Sequence, residues 1–172
     1  NFKDKQFLKD LWPTISKAME FVVSGQTKDG DILWAKDENN DWMDDSLLTG
    51  CSSIYKSLLC FQKISFELGF SEKIYEKETN WLFNAIKNKS QRFDRNWKSK
   101  DRYSMDWYYP ILCGIISDNE AKLRIDARWD EFVVQGLGCK CVEEEPWVTA
   151  AESCELVLTL VKMSEKKKAE EI

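Results

Sequence analysis

Carboxylates and aromatic side chains crowd together between residues 101 and 109 of this sequence. Two carboxylates, one arginine and four aromatic rings fall within these nine residues: Asp101, Arg102, Tyr103, Asp106, Trp107, Tyr108 and Tyr109. Acidic groups can move protons and flat rings can stack on sugars, so this composition suits a sugar or polyol site. A packed corner is the other explanation, in which Arg102 pairs with Asp101 or Asp106 and the rings belong to the core.

A second group of candidate residues surrounds the start of the last apolar helical segment. Thr149 and Glu152, just after Trp147, have the S/T-x-x-E spacing of a capping box, which accounts for both without any function. Glu155 lies one turn deeper on the same side, where a carboxylate is costly unless it is hydrogen-bonded or used in a reaction. Cleavage of a glycosidic bond needs two carboxylates that flank the bond, and no histidine. We therefore predict that Asp106 and Glu152 form a catalytic acid/base pair.

The long loop before the second helix supplies two further candidates. Asp29-Gly30 predicts a turn that sends the chain back on itself, which allows Trp34 to lie over the mouth of a ring of helices. In the structural explanation, Trp34 closes the hairpin and Asp45 or Ser46 caps the next helix. The predicted substrate-binding residues are Trp34, Asp45, Asp101, Arg102, Tyr103, Trp107, Tyr108, Trp147 and Glu155.

The composition excludes several classes of function. None of the 172 residues is a histidine, which removes Ser-His-Asp and Cys-His catalysis and His-ligated zinc or haem. The net charge of −5 disfavours nucleic acid as a partner, and no apolar run approaches the roughly 20 residues of a membrane helix. Six cysteines without a C-x-x-C pair or a signal peptide predict reduced thiols in a cytoplasmic protein. We predict no metal ion, no cofactor, and a sugar or glycan-containing small molecule as partner.

Period-3.6 patterns and capping signals predict six helices and no strand longer than a few residues. The helices span residues 6–24, 46–68, 71–89, 105–116, 118–133 and 149–167. Pro13 allows a kink in the first helix or a later start near residue 12. The second, fourth and sixth helices carry few charges, as expected for helices buried on more than one side. The third and fifth helices carry many charges, as expected for helices with one solvent-exposed face. The predicted order is therefore outer then inner, three times over.

The lengths of the connections follow the same alternation. Inner-to-outer links are short, as in antiparallel helix hairpins, and outer-to-inner links are long, so all three long loops lie above the N-termini of the inner helices. Three such hairpins make half of an (α/α)6 toroid, and the predicted fold is a single all-α domain over residues 1–172. A self-contained six-helix bundle is the alternative.

Half a toroid has an open edge of apolar surface. We expect the remaining hairpins of the ring, or a second copy of the chain, to cover that edge. The chain starts at Asn1, within a helical pattern, and this agrees with a partial segment of a longer toroid.

Several stretches resemble a family of bacterial α/α-toroid proteins labelled prenyltransferase-like or six-hairpin-glycosidase-like. They are Phe7–Pro13, Gln26–Trp34, Ser46–Tyr55, Lys100–Pro110, Arg128–Val134 and Pro146–Leu156. The resemblance covers nearly the whole chain and implies a toroid of which this sequence is an interior portion. It implies no catalytic residue.

The prenyltransferase label can be tested by comparing the sequence with the motifs of terpene cyclases. Gln26, Asp29, Gly30 and Trp34 are similar to the Q-and-W repeat of terpene cyclases, but only one copy is present and the spacing to the tryptophan is stretched. The run Asp41-x-x-Asp44-Asp45 is one residue longer than the D-x-D-D acid motif of those enzymes. We therefore expect the label to reflect shared architecture rather than shared chemistry.

Three functions follow from these features. The leading one is part of a carbohydrate-active or glycan-binding toroid, glycoside hydrolase-like, with a cleft of aromatic rings and carboxylates at the inner-helix N-termini. The second is a prenyltransferase-like or terpene-cyclase-like toroid that binds an isoprenoid or lipid-linked substrate in an apolar tunnel. The third is a non-catalytic scaffold in which the same loops merely close the helix hairpins.

Overall fold

The computed structural model describes residues 4–71 and 73–172. The chain is mostly helical and carries a small three-stranded sheet. It falls into two compact units, the first ending at Asn96 and the second beginning at Trp97. No helix of the described residues is long and apolar enough to cross a membrane. All six cysteines are described, and all are free thiols.

The described residues of the first unit form three α-helices and one short 3-10 helix. They are α1 (Lys5–Ser24), α2 (Leu48–Glu67), α3 (Glu76–Asn88) and the 3-10 turn Ser90–Arg92. The carboxylate of Asp4 caps α1 by accepting a hydrogen bond from the backbone N–H of Phe7 at 3.0 Å. The helix runs on through Pro13, so the start near residue 12 that the sequence allowed is not observed. We expected α3 to start at Ser71; it starts at Glu76, after Tyr75 in a left-handed conformation, and Glu72 lies outside the described residues.

Aromatic stacking joins the helices of this unit. The Trp12 ring of α1 stacks on Phe61 of α2, with ring centroids 4.8 Å apart, and on Phe70 at 5.1 Å. Behind that contact, Leu58 of α2 and Leu82 of α3 are fully buried. The core of the unit therefore lies along α2, which packs on α1 on one side and on α3 on the other.

Asp31 lies fully buried at the centre of a network that holds the long loop before α2. Its Oδ1 accepts hydrogen bonds from the Thr27 hydroxyl at 2.5 Å and from Arg92 Nε at 2.9 Å. Its Oδ2 accepts from the Ser46 hydroxyl at 2.7 Å and from Arg95 at 3.1 Å. Burial alone would raise the pKa of Asp31, but the hydrogen bonds and the Arg92 charge outweigh it and lower the pKa to about 2. One carboxylate thus ties the start of the loop, the entry to α2 and the segment after α3.

The predicted turn at Asp29-Gly30 is confirmed, and it packs directly on α3. Gln26 Nε2 donates to the carbonyls of Gly30 at 3.0 Å and of Glu78 in α3 at 2.8 Å. Gly30 has φ +99°, and a Cβ there would lie 2.4 Å from the carbonyl oxygen of Trp81. Both the backbone angle and the lack of space require glycine at this position.

The second unit contains the remaining helices and the sheet. The helices are α4 (Ser104–Leu112), α5 (Asp118–Ala127), α6 (Trp129–Phe132), α7 (Ala150–Lys162) and α8 (Lys166–Ala169). The predicted fifth and sixth helices are each interrupted, at Arg128 and around Ser164, where Ser164 has φ +65°. Lys162 of α7 donates to the Ile111 and Leu112 carbonyls at 3.2 and 3.0 Å, so it caps the C-terminal end of α4. This contact sets α4 against α7.

The small sheet consists of β1 (Val133–Val134), β2 (Gly138–Lys140) and β3 (Val148–Thr149), antiparallel in the order β1-β2-β3. Cys139 pairs with Val133 on one side and with Thr149 on the other. Gly138 has φ +136°, and a Cβ there would lie 2.4 Å from the hydroxyl of Ser153 in α7. That hydroxyl accepts the Cys139 N–H at 2.8 Å, which fixes the sheet on α7. The chain is thus mostly helical, as predicted, with a sheet that the pattern of residues did not indicate; the toroid stays a prediction.

The Asp31 network generates a prediction about stability. We expect Asp31→Asn to lower the free energy of unfolding by about 3 kcal/mol at neutral pH, because two arginines lose a buried partner. In the unsubstituted chain, the stabilisation from the depressed pKa is present above the ordinary value of 3.8 and is lost as pH falls toward about 2. Urea denaturation at neutral pH and at several pH values in that window measures both effects.

Asp41→Asn is the matched control, because Asp41 lies exposed in the same loop. It should change the unfolding free energy by less than about 0.5 kcal/mol. Equal effects of the two substitutions would contradict the role given to Asp31.

Candidate active site in the second unit

Two neighbouring tyrosines of α4 hold one carboxylate of α7. The hydroxyl of Tyr108 donates to Glu155 Oε2 at 2.8 Å, and the hydroxyl of Tyr109 donates to Glu155 Oε1 at 2.8 Å. Both oxygens of Glu155 are therefore engaged by neutral donors. No ion pair joins Glu155 to an arginine or lysine within the described ranges, so its negative charge has no cationic partner there.

This environment raises the pKa values of both tyrosine hydroxyls. Burial raises the pKa of Tyr108 far above its usual value, and the hydrogen bond to Glu155 and the charge of that carboxylate raise it further. The pKa of Tyr109 is raised by the same causes, burial again first. Both hydroxyls thus remain protonated donors at every pH at which the protein is expected to work.

Glu152 lies one turn before Glu155, at the first turn of α7, and is half-buried. The Thr149 hydroxyl and the Cys141 thiol both hydrogen-bond its carboxylate. Burial favours the protonated form of Glu152, but these hydrogen bonds outweigh it and lower the pKa below its ordinary value. Thr149 is the N-cap residue of α7, as its spacing to Glu152 predicts, but the side-chain-to-backbone bonds of a capping box are not formed. The Thr149 hydroxyl bonds the Glu152 side chain instead.

Asp106 lies in the first turn of α4 and is only 7% exposed. Arg124 of α5 donates to the carbonyls of Asp106 and Trp107, each at 2.8 Å. Burial lowers the pKa of Arg124, and the nearby Asp106 carboxylate opposes that shift. The side of α4 that carries Asp106 therefore faces a cation on α5.

The aromatic side chains predicted to bind substrate differ in exposure. Trp107 and Tyr108 are core residues, because Trp107 donates its indole N–H to the Arg124 carbonyl at 2.7 Å and stacks on Phe132. Trp147, by contrast, is 59% exposed. Tyr103 is half-buried beside Arg102, whose guanidinium carbon lies 5.4 Å from the centre of the ring. Exposed ring surface in this unit is therefore available at Trp147 and in part at Tyr103.

Arg102 and Asp101 have partners that the sequence did not indicate. Arg102 forms an ion pair with Glu144, a partner that the packed-corner explanation did not include. The Asp101 carbonyl accepts a hydrogen bond from Arg128 at 2.5 Å, and the residue is exposed. These contacts hold the 97–103 loop against the 141–148 loop.

The other two predicted site residues, Trp34 and Asp45, belong to the first unit. Trp34 is 46% exposed. Asp45 is buried, and its carboxylate accepts the backbone N–H groups of Ser46, Arg95 and Asn96 at 2.7, 3.0 and 2.7 Å. Asp45 therefore orders the segment after the 3-10 helix, and α2 has Leu47 as its N-cap, without a side-chain cap.

Sequence reasoning did not assign Tyr109 and Cys141 to the site. Both contact a carboxylate of α7, Tyr109 at Glu155 and Cys141 at Glu152. The signal that could have found them is the need of a carboxylate on an apolar helix for hydrogen-bond donors. Tyr109 stands next to a predicted site residue, whereas nothing in the local sequence around Cys141 points to α7.

Comparison with known proteins adds an independent observation. The chain is similar to a mannosidase. Over 168 residues, 98% of the chain, it is 40% identical to a protein of Mycolicibacterium hassiacum named MMP endo-(1,4)-3-O-methyl-alpha-D-mannosidase. The matching part is 45% of that relative, so the chain spans less than half of its length. No protein-family model matches the chain.

The similarity relates the chain to a protein named as a glycosidase, and nothing in the comparison favours the isoprenoid or scaffold alternatives.

The tyrosine–glutamate contacts generate a prediction. Glu155→Gln should lower the pH at which Tyr108 and Tyr109 ionise, because the carboxylate contributes to both raised pKa values, while burial keeps them above their ordinary value of 10.0. The substitution should also cost about 1 kcal/mol of unfolding free energy, since a charged acceptor is replaced by a weaker one. Alkaline titration of ¹³Cζ-labelled tyrosine by NMR measures the first effect and urea denaturation the second.

Tyr55 is the internal control in the same titration, because burial alone raises its pKa. Its ionisation should be unchanged by Glu155→Gln. Unchanged titration of both Tyr108 and Tyr109 would contradict the contacts with Glu155.

Proposed function

We propose that the chain forms part of a glycoside hydrolase that cleaves α-mannosidic bonds in a glycan carrying O-methyl groups. The observation that carries this proposal is the 40% identity, over 98% of the chain, to a protein named as an endo-acting 3-O-methyl-α-D-mannosidase. It is supported by the two α7 carboxylates, whose hydrogen bonds come from neutral donors. Partly buried carboxylates that are not neutralised by a cation are typical of acid/base sites.

In this proposal Asp106 and Glu152 are the catalytic pair. Glu152 is the carboxylate that the Thr149 and Cys141 hydrogen bonds keep ionised, so it acts as base toward water or as nucleophile toward the anomeric carbon. Asp106, withdrawn from water in the first turn of α4, donates the proton to the departing glycosidic oxygen. The bond between that oxygen and the anomeric carbon breaks as water or Glu152 bonds to the carbon.

The remaining residues of the second unit have binding roles in the same proposal. Glu155, fixed by Tyr108 and Tyr109, accepts hydrogen bonds from sugar hydroxyls. Trp147 and Tyr103 offer ring surface to the C–H face of a sugar, and an apolar O-methyl group gains further contact there. Asp101 and Arg102 position the substrate from the 97–103 loop.

The proposal predicts the effect of removing either carboxylate. Asp106→Asn and Glu152→Gln should each lower kcat on a (1→4)-linked 3-O-methyl-α-D-mannan oligosaccharide by about 10³-fold or more, because one proton transfer or nucleophilic step is lost. Release of new reducing ends by the complete protein measures this. The folded state is checked by urea denaturation of each variant.

Glu145→Gln is the matched control, since Glu145 lies in the loop just before α7 and has no assigned role. It should leave kcat within about threefold of the unsubstituted protein. A Glu152→Gln variant with unchanged kcat would overturn the assignment of the pair, and a protein inactive on every α-mannoside would overturn the proposed function.

A further inference from the structure

A cavity of about 410 Å³ lies in the first unit, on the side of α2 that faces the start of α3. One face of α2 lines it with residues at helical spacing: Leu59, Gln62, Lys63, Phe66 and Glu67. Lys73 and Glu76 complete the opposite wall. The volume lies within the range of small-ligand sites, which is about 300–1,000 Å³. The cavity includes none of the residues assigned to the candidate active site.

Hydrogen bonds hold the two walls of this cavity together. Gln62 Nε2 donates to the Ile74 carbonyl at 3.1 Å and to the Thr79 hydroxyl at 3.2 Å. Ser65, fully buried on α2, donates to the Ser71 carbonyl at 2.7 Å. The wall that carries Lys73 and Glu76 is therefore tied to α2 on both of its sides. Such bonds favour a cavity that exists before a ligand arrives.

The chemistry of the lining is divided between an apolar surface and a charged rim. The ring of Phe66 is 60% exposed, and Leu59 adds aliphatic surface beside it. Among the described residues, the rim carries two cations and two carboxylates, Lys63 and Lys73 against Glu67 and Glu76, whose formal charges cancel. The ammonium groups of both lysines are hydrogen-bond donors.

This combination selects the class of ligand. A strongly charged ligand has no net electrostatic attraction to a rim whose charges cancel. A purely apolar ligand would displace water from four charged groups without replacing their hydrogen bonds. A neutral ring with one C–H face and several hydroxyls satisfies both parts of the lining. A saccharide has that chemistry, and an O-methyl group adds apolar contact with Phe66.

We propose that this cavity is a second saccharide site, formed by residues other than the catalytic carboxylates, which binds an O-methylated mannan. The choice of mannan rests on the proposed function. The saccharide class rests on Phe66 and the neutral rim.

Backbone NMR of the complete ¹⁵N-labelled protein tests the proposal, with methyl 3-O-methyl-α-D-mannopyranoside as the probe. Saturable shifts are expected in residues 59–67 and 73–76. Phe66→Ala should weaken the affinity measured at those resonances by about fivefold or more, because the stacking surface is removed. Phe66 is exposed, so this variant keeps the fold. Phe7→Ala is the matched control: Phe7 is 57% exposed on α1, lies outside the cavity, and should leave the affinity unchanged.

The outcomes separate this inference from the proposed function. Absence of saturable shifts in residues 59–67 and 73–76 overturns the second site, whether or not the protein cleaves mannan. An affinity unchanged by Phe66→Ala, or matched by cyclohexanol as an apolar ring without the hydroxyl pattern, overturns it as well. Shifts that persist in the Glu152→Gln variant, and in a protein without mannosidase activity, support the site even where the proposed function fails.

Discussion

A carboxylate withdrawn from water must be given hydrogen-bond donors or a cation, and both units of this chain are organised around that constraint. In the first unit, Asp31 collects donors from three segments that are far apart in sequence. In the second unit, Glu155 joins α7 to α4 through two phenols. The helices supply the apolar surface of the core, and these carboxylates decide how the loops and helix ends meet.

The two ways of stabilising a carboxylate, with cations in the first unit and with neutral donors in the second, have different chemical consequences. Asp31 is bonded by guanidinium groups, so its charge is neutralised and its pKa is depressed to about 2. Glu155 and Glu152 accept hydrogen bonds from hydroxyl, thiol and backbone N–H groups, and no arginine or lysine of the described part of the chain forms an ion pair with either. The first arrangement is that of a structural network. The second leaves charge available for a substrate or a transition state, which is why the second unit carries the proposed catalytic pair.

The helices and their approximate limits could be predicted from the sequence because period-3.6 hydrophobicity and capping residues are local signals. The carboxylate at Glu155 could also be singled out, since its cost on an apolar helix can be judged without coordinates. The Asp31–Arg92 pair could not, because its partners are separated by 61 positions and no local pattern links the turn around Asp31 to the segment after α3. The sheet could not be predicted for a related reason. Strands of two or three residues are too short to show an alternating pattern of apolar and polar side chains. The glycine at position 138 is explained by the nearby Ser153 hydroxyl on α7, a contact that the local sequence does not show.

The contacts of Gln26 and Gly30 give a structural explanation for the short motif Gln26-x-x-Asp29-Gly30, which the sequence alone likened to a terpene-cyclase repeat. Gln26 reaches the Glu78 carbonyl with its side-chain amide, and Gly30 lies directly against the Trp81 carbonyl, so both residues join the loop to the backbone of α3. A signature drawn from Gln26 and Gly30 would therefore be retained by a relative that keeps this contact between loop and helix, whatever it binds or transforms. Such a signature therefore identifies proteins that share this scaffold. The reaction that each of them catalyses is decided by other residues, among which the carboxylates of α4 and α7 are the candidates.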